Sequence, residues 1–186
     1  MNWQFWTDAR QMGAAARIGD GTRQALRMMR TDAFYLLLFT RLRRSCVRWH
    51  IPVINRVLRT LQMIFGGLEI GDHVALGNGV YFIHSLGTVV GGTSSVGHRV
   101  RFLGNNTVGT ASDNGYPTIG DDVEIGAGAR VLGPVHVGAG AVIGANAVVL
   151  SDVPAGCVAV GIPARIIQRQ ARTTSPLLRV LASGKA

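Results

Sequence analysis

The chain has 186 residues, of which only 16% are charged, and its mean hydropathy is positive. This excludes a disordered polar tail and suits one compact domain with a short extension. Glycine is the outlier: 25 residues, roughly double the usual ~7%, with no collagen period, which signals many tight turns between short buried strands.

The positive charge is concentrated at one end. Residues 1–66 hold eleven arginines against Asp8, Asp20 and Asp32, and so carry eight of the nine net positive charges. Such a leader is either a solvated helix face or a surface for an anionic partner. Cys46 and Cys157 are far apart and form no metal or redox spacing, so they read as reduced thiols in a cytoplasmic protein. The longest apolar run of the leader, Ala33 to Phe39, is seven residues, against the ~20 that span a bilayer. It runs into Arg41, Arg43 and Arg44 with no cleavage site, which argues against a signal peptide.

In chain order, residues 1–20 carry weak signals. Leu26, Met29, Phe34, Leu37, Leu38, Leu42 and Val47 then approximate a helical stripe. Pro52 interrupts it, which predicts two helices over 22–49 and 53–65, the second ended by Gly66-Gly67. This gives a helical N-terminal region over 1–66, a different unit over 67–168 and a C-terminal tail over 169–186.

From Ile70 onward a six-residue period appears. Its apolar lead positions are Ile70, Leu76, Phe82, Val90, Val96, Phe102, Val108, Ile119, Ile125, Val131, Val137, Ile143 and Val149. Glycine follows nine of them, and the fourth residue after the lead is usually small or β-branched. Neither a helix nor an ordinary strand has this period, whereas a short strand plus a corner, repeated, does. Three such units close one triangular coil, and stacked coils bury the lead side chains. Glycine after the lead is expected to give the corner a backbone conformation closed to other residues. Two stretches break the period. Phe82 to Val90 spans eight residues, and Val108 to Ile119 spans eleven, its excess in Thr110–Thr118, which is expected to project as a functional loop.

Of the five histidines, none lies in a close pair and no cysteine cluster supplements them, so no metal site is expected. His73, His98 and His136 fall at turn or outward positions and read as solvated, while His84 lies in the first irregular stretch.

The hexapeptide period resembles that of the hexapeptide-repeat acyltransferases, which implies a mainly β fold: a left-handed parallel β-helix behind a short α-helical region. Residues 68–87, Leu-Glu-Ile-Gly-Asp-His through Phe-Ile-His-Ser-Leu-Gly, are similar to the start of the serine acetyltransferase β-helix. In that family an acid precedes the catalytic histidine by fifteen residues, and Glu69 stands fifteen before His84. Residues 125–133 and 143–149 resemble the family's last turns, and Val160-Gly-Ile-Pro-Ala-Arg-Ile166 its closing segment, so the resemblance covers about residues 68–168.

The resemblance implies acetyl transfer from acetyl-CoA to a hydroxyl. His84 would act as general base and Glu69 would orient it. Amides near Gly109 and Thr110 would receive the oxyanion. The CoA arm would pass Ala127 and Ala145 toward Arg165 in a groove shared by two chains of a homotrimer.

The acceptor side departs from the family. Ile83 stands where an acid precedes the histidine, and Gly115-Tyr116-Pro117 replaces Arg-His before the loop proline. Ile83 and Tyr116 would therefore face a different acceptor, as in the related O-acetyltransferases of exopolysaccharide and capsule biosynthesis. That reading expects a saccharide acceptor and contact of the basic leader, with its Phe34–Phe39 patch, with the inner membrane surface. Serine O-acetyltransferase of cysteine biosynthesis is the alternative enzyme, and a non-catalytic β-helix scaffold the alternative of another class. Nucleic acid is not expected, because the arginines lack interleaved aromatics.

Overall fold

The structure, a computed structural model, describes residues 2–168; the tail expected over 169–186 lies outside the described residues. Four helices come first: α1 (Asn2–Ala15), α2 (Thr22–Met28), α3 (Asp32–Arg48) and α4 (Pro52–Gly66). The helix expected over 22–49 is two helices. Thr31 is the reason: it takes an extended conformation, its hydroxyl accepts from Phe34 N and donates to Met28 O, and α3 restarts behind it. The Thr-Asp pair at 31–32 is an N-cap signal that the apolar stripe obscures. At the other boundary Pro52 opens α4, and Gly67 caps it in the left-handed conformation at φ 58°.

The rest is a parallel β-solenoid of about five turns, and it fits the left-handed β-helix. Its first face, A, stacks β1 (Leu68–Ile70), β4 (Thr88–Val90), β7 (Thr107–Gly109), β10 (Arg130–Leu132) and β13 (Val148–Val149). Face B stacks β2 (Ala75–Leu76), β5 (Ser95–Val96), β8 (Thr118–Ile119) and β11 (His136–Val137). Face C stacks β3 (Tyr81–Phe82), β6 (Arg101–Phe102), β9 (Glu124–Ile125), β12 (Val142–Ile143) and β14 (Val158–Val160), and β15 (Arg165–Ile167) closes it antiparallel.

All thirteen lead residues are buried, none more than 6% exposed. In the first two coils Phe82 and Phe102 stack at 5.1 Å between ring centroids.

The glycines behind the leads act differently from the expectation. None of the nine has a positive φ; at seven corners a left-handed residue comes three after the lead, at Gly79, Arg99, Asn105, Asp122, Gly128, Gly140 and Asn146, and Gly92, Gly104 and Gly133 take a positive φ two after theirs. At seven of the nine, glycine instead admits the next coil, whereas Gly91 and Gly109 are not crowded. A Cβ on Gly77 would sit 2.4 Å from the carbonyl of Gly97, and one on Gly126 would sit 2.5 Å from Ala145 N. The repeat therefore reads close coil approach rather than unusual torsion.

The first coil has no coil beneath it, and its strand carbonyls point at the helices. Two buried arginines of α3 meet them. Arg41 donates to the carbonyls of Leu76 (2.8 Å) and Gly77 (2.6 Å) and pairs with buried Asp8 of α1, which in turn accepts from Gly79 N. Arg43 donates to the carbonyl of Ile70 (3.0 Å), to Gln62 of α4 and to Asp72. Burial pulls the Arg43 guanidinium below its ordinary range, and Asp72 partly offsets this. These two arginines are internal donors, so the solvated reading of the leader fails for them.

The Phe34–Phe39 patch is likewise not an open surface: Phe34, Leu36 and Leu37 are buried against the rest of the fold, and Tyr35 alone in it is exposed. Among the described residues no helix is long and apolar enough to cross a membrane.

Removing Arg41 strands both the Asp8 carboxylate and two carbonyls. Arg41→Ala is expected to lose about 3–5 kcal/mol in urea unfolding. Arg99→Ala, which breaks a surface pair with Asp122, should lose under about 1 kcal/mol.

Candidate active site

The corners between face C and face A form one edge of the prism. Along it lie, coil by coil, residues 83–87, 103–106, 126–128, 144–146 and the 160–164 turn. Backbone hydrogen bonds tie each to the next, from Asn105 N to Leu86 O, Gly128 N to Gly104 O, Asn146 N to Ala127 O and Val148 N to Gly161 O. His84 stands at the foot of this edge, exposed, and lines a cavity of about 340 Å³ with Ile83, Ser85, Tyr81 and the start of α3. Ala127 and Ala145 are exposed on the same edge above it, and exposed Arg165 follows the last turn. At about 4.8 Å per coil, Ala145 is roughly 14 Å above His84. Sites named separately in the sequence thus fall on one line.

Glu69 occupies the middle of β1, side chain outward between buried Leu68 and Ile70. Its strand enters beneath the His84 corner, where Gly87 N donates to Gly67 O at 2.9 Å. No hydrogen bond joins Glu69 to His84. The Glu69 Oε1 atom instead pairs with the Arg59 guanidinium of α4, leaving Oε2 without a partner among the described hydrogen bonds.

The remaining predicted residues lie elsewhere. Gly109 ends β7 and Thr110 opens the loop at the edge between faces A and B, which residues 111–114 carry into solvent. Among the described residues the buried Thr110 hydroxyl has no hydrogen-bond partner. Tyr116 lies over the neighbouring corner: a Cβ on Gly92, at φ 61°, would fall 1.9 Å from its ring. Within one chain, face A separates this loop from His84.

Several contributors have no sequence motif. Gly104, at φ 115°, gives room to His84, since a Cβ there would lie 2.9 Å from the histidine's own Cβ. Fully buried Asn106 pins the same edge, accepting from Gly104 N and donating to Gly126 O at 2.6 Å. An asparagine where the two coils above have Ala129 and Ala147 was the available signal. His98, expected to be solvated, is half-buried and structural: its Nδ1 accepts from Asn78 N and its own N–H donates to Asp121. Among the described residues no three histidine, cysteine or acidic side chains group to hold a metal ion.

Comparison with known proteins gives this geometry a family. Residues 116–151 match the bacterial transferase hexapeptide (six repeats). A serine acetyltransferase of Synechococcus elongatus is 38% identical over 147 residues, covering 77% of this chain and 60% of the relative. The serine acetyltransferase of Helicobacter pylori strain 26695 is 39% identical over 138 residues, covering 73% of this chain and 81% of the relative. These alignments exceed the β-helix in length, so the likeness reaches into the helical leader, beyond the 68–168 expected. Among solved structures, a serine acetyltransferase in complex with CoA superposes with a TM-score of 0.77 at 29% identity, over 89% of this chain and 71% of that one. Soybean serine acetyltransferase complexed with serine does so with a TM-score of 0.77 at 32% identity, over 88% of this chain and 70% of that one. The chain thus spans from 52% to 81% of the length of the curated relatives it matches, and it belongs to the serine acetyltransferase family of hexapeptide-repeat acyltransferases.

Proposed function

We propose that the protein is an acetyl-CoA-dependent serine O-acetyltransferase. The observation that carries this reading is the exposed His84 in a cavity at the foot of an open edge, with Ala127, Ala145 and Arg165 in line above it. The relatives support the donor and acceptor: one solved neighbour is a complex with CoA and another a complex with serine.

A neutral hydroxyl attacks a thioester poorly, so His84 takes its proton as the carbon–oxygen bond forms, and returns it to the departing thiolate. Glu69, which no hydrogen bond joins to His84 in this structure, is the carboxylate assigned to take the other ring N–H through its unpaired Oε2 when the acceptor is bound, and Arg59 holds it through Oε1. Small side chains at Ala127 and Ala145 leave the edge open to an extended pantetheine arm, and Arg165 supplies a cation for phosphate at its end. The oxyanion donors are amides of the Gly109–Thr110 segment. Because that segment and Tyr116 lie on another edge from His84, they come from a neighbouring protomer, which makes the working unit a homotrimer. Both cysteines are free, which suits a reducing compartment such as the cytoplasm.

The saccharide reading drawn from Ile83 and Tyr116 finds no support among the named relatives. Tyr116 also packs on the Gly92 corner rather than presenting an open ring. What keeps another acceptor in view is Ile83, half-buried in the wall of the His84 cavity where an acid would bind an amino group.

Thiol release from acetyl-CoA should therefore depend on L-serine, and turnover of a sugar panel in its place would overturn the acceptor assignment. His84→Ala should lower kcat by about 10²–10⁴-fold without loss of fold by circular dichroism. Glu69→Gln should also lower kcat with little change in the KM for acetyl-CoA. Mixing His84→Ala trimers with trimers carrying Thr110→Pro, which removes an amide donor of the Gly109–Thr110 segment, should after mild dissociation and reassembly restore activity that both parents largely lack. Absence of restoration would place loop and histidine in action within one chain.

A further inference from the structure

The inward column at the edge between faces C and A changes character beside His84. Its successive residues are Thr88, Asn106, Ala129 and Ala147, all fully buried. The upper two coils use alanine, as a packed apolar column should. The two rungs that close and cover the His84 corner use polar side chains instead. Asn106 Oδ1 accepts from Gly104 N at 3.0 Å, its Nδ2 donates to Gly126 O at 2.6 Å, and its own N–H reaches Thr88 Oγ1 at 3.5 Å. The backbone served by this amide is unusual as well. Gly104 and Asn105 take positive φ in succession, 115° and 50°, which no other corner among the described residues does. Asn105 is not a glycine, so this turn stores strain that its surroundings must hold. Gly104 then lies against the histidine: a Cβ on it would fall 2.9 Å from His84 Cβ and 3.2 Å from His84 O. From below, Thr88 N donates to Ser85 O at 3.0 Å and closes the corner from which His84 projects.

We propose that Asn106 is a positioning residue for His84: through Gly104 it sets the backbone against which the histidine rests. This rests on the reading of His84 as general base. The carboxamide spans the corner directly above the histidine and the one above that, where Ala127 lies on the line assigned to the CoA arm. Alanine at 106, as in the upper coils, would leave the buried Gly104 N–H without its acceptor, an expense large enough to make the strained turn relax. Gly104 would then withdraw from His84, and the imidazole would gain room to rotate. A general base works only within hydrogen-bond reach of the proton it removes, so a small displacement lowers the rate. The groups that hold acetyl-CoA and serine are untouched by it. Buried polarity therefore appears in this column where the orientation of a ring depends on the corner, and is absent where the coils only stack.

The experiment compares the parent with Asn106→Ala and with Val137→Ala, which thins the core at face B away from this edge. For Asn106→Ala the expected result is a fall in kcat of about 10- to 100-fold, with the KM values for acetyl-CoA and L-serine within about twofold of the parent. Val137→Ala should lower the Tm and keep the parental kcat. Asn106→Ser, whose hydroxyl is too short to span Gly104 N and Gly126 O, should lie between parent and Asn106→Ala, and it carries the test if the alanine variant does not fold. In protein labelled at histidine, the His84 ring signals, assigned by their loss in His84→Ala, should broaden or split in the Asn106 variant and stay single in Val137→Ala. Parental kcat and ring signals in a folded Asn106 variant would overturn the proposal. Equal falls in kcat in Asn106→Ala and Val137→Ala at equal loss of Tm would show a merely structural role and overturn it too. A parent inactive on serine would overturn the serine reading, while the ring signals would still decide the role of Asn106.

Discussion

Parallel hydrogen bonding between successive coils is the constraint on which the rest of the molecule depends. Each rung must sit about 4.8 Å above the last, so every corner residue is placed over an equivalent one. Gly77 and Gly126 permit that approach by leaving no Cβ in its way. The same stacking turns positions separated by tens of residues into a straight column, and His84, Ala127, Ala145 and the turn before Arg165 inherit their alignment from it. A rigid solenoid supplies the line, and the interruptions of its period shape the candidate site: the stretched corner exposes His84, and the longer insertion makes the loop after Gly109.

Much of this was legible in the sequence because a buried column imposes a strict period. All thirteen lead residues could be named, and both departures from the period fell where the backbone leaves the coil. The spacing of Glu69 and His84 reads as a pairing, yet no hydrogen bond joins the two side chains, Glu69 being paired with Arg59 instead. Where sequence reading failed, the cause was contact from outside the repeat. Nothing in the pattern shows that Arg59 occupies one oxygen of Glu69, or that Tyr116 rests on Gly92. The glycine rule was misassigned as torsion because a glycine's composition does not reveal whether it relieves φ or a neighbour's approach. His98 looked solvated because its partners, Asn78 and Asp121, belong to different coils.

The leader was the harder part. A run of arginines and leucines is compatible with a solvated helix, a lipid-facing one or an internal strut, and only the fold distinguishes them. Arg41 and Arg43 are internal because the first coil leaves carbonyls with no strand to accept from, and guanidinium donors reach them while Asp8 and Asp72 balance the charge. The helices therefore finish the solenoid rather than decorate it. They also bring the first turn of α3 to the wall of the His84 cavity.

The two ends of the stack show what that finishing achieves. A parallel solenoid is a repeating edge at both ends, and an unfinished one would accept another copy, rung upon rung, without limit. Here the lower rim is occupied by guanidinium groups, and the upper rim ends in β15, which folds back antiparallel on β14 and breaks the parallel register. Stacking of a further copy on either described rim is thereby disfavoured, and the length of the described stack is set by its own chain.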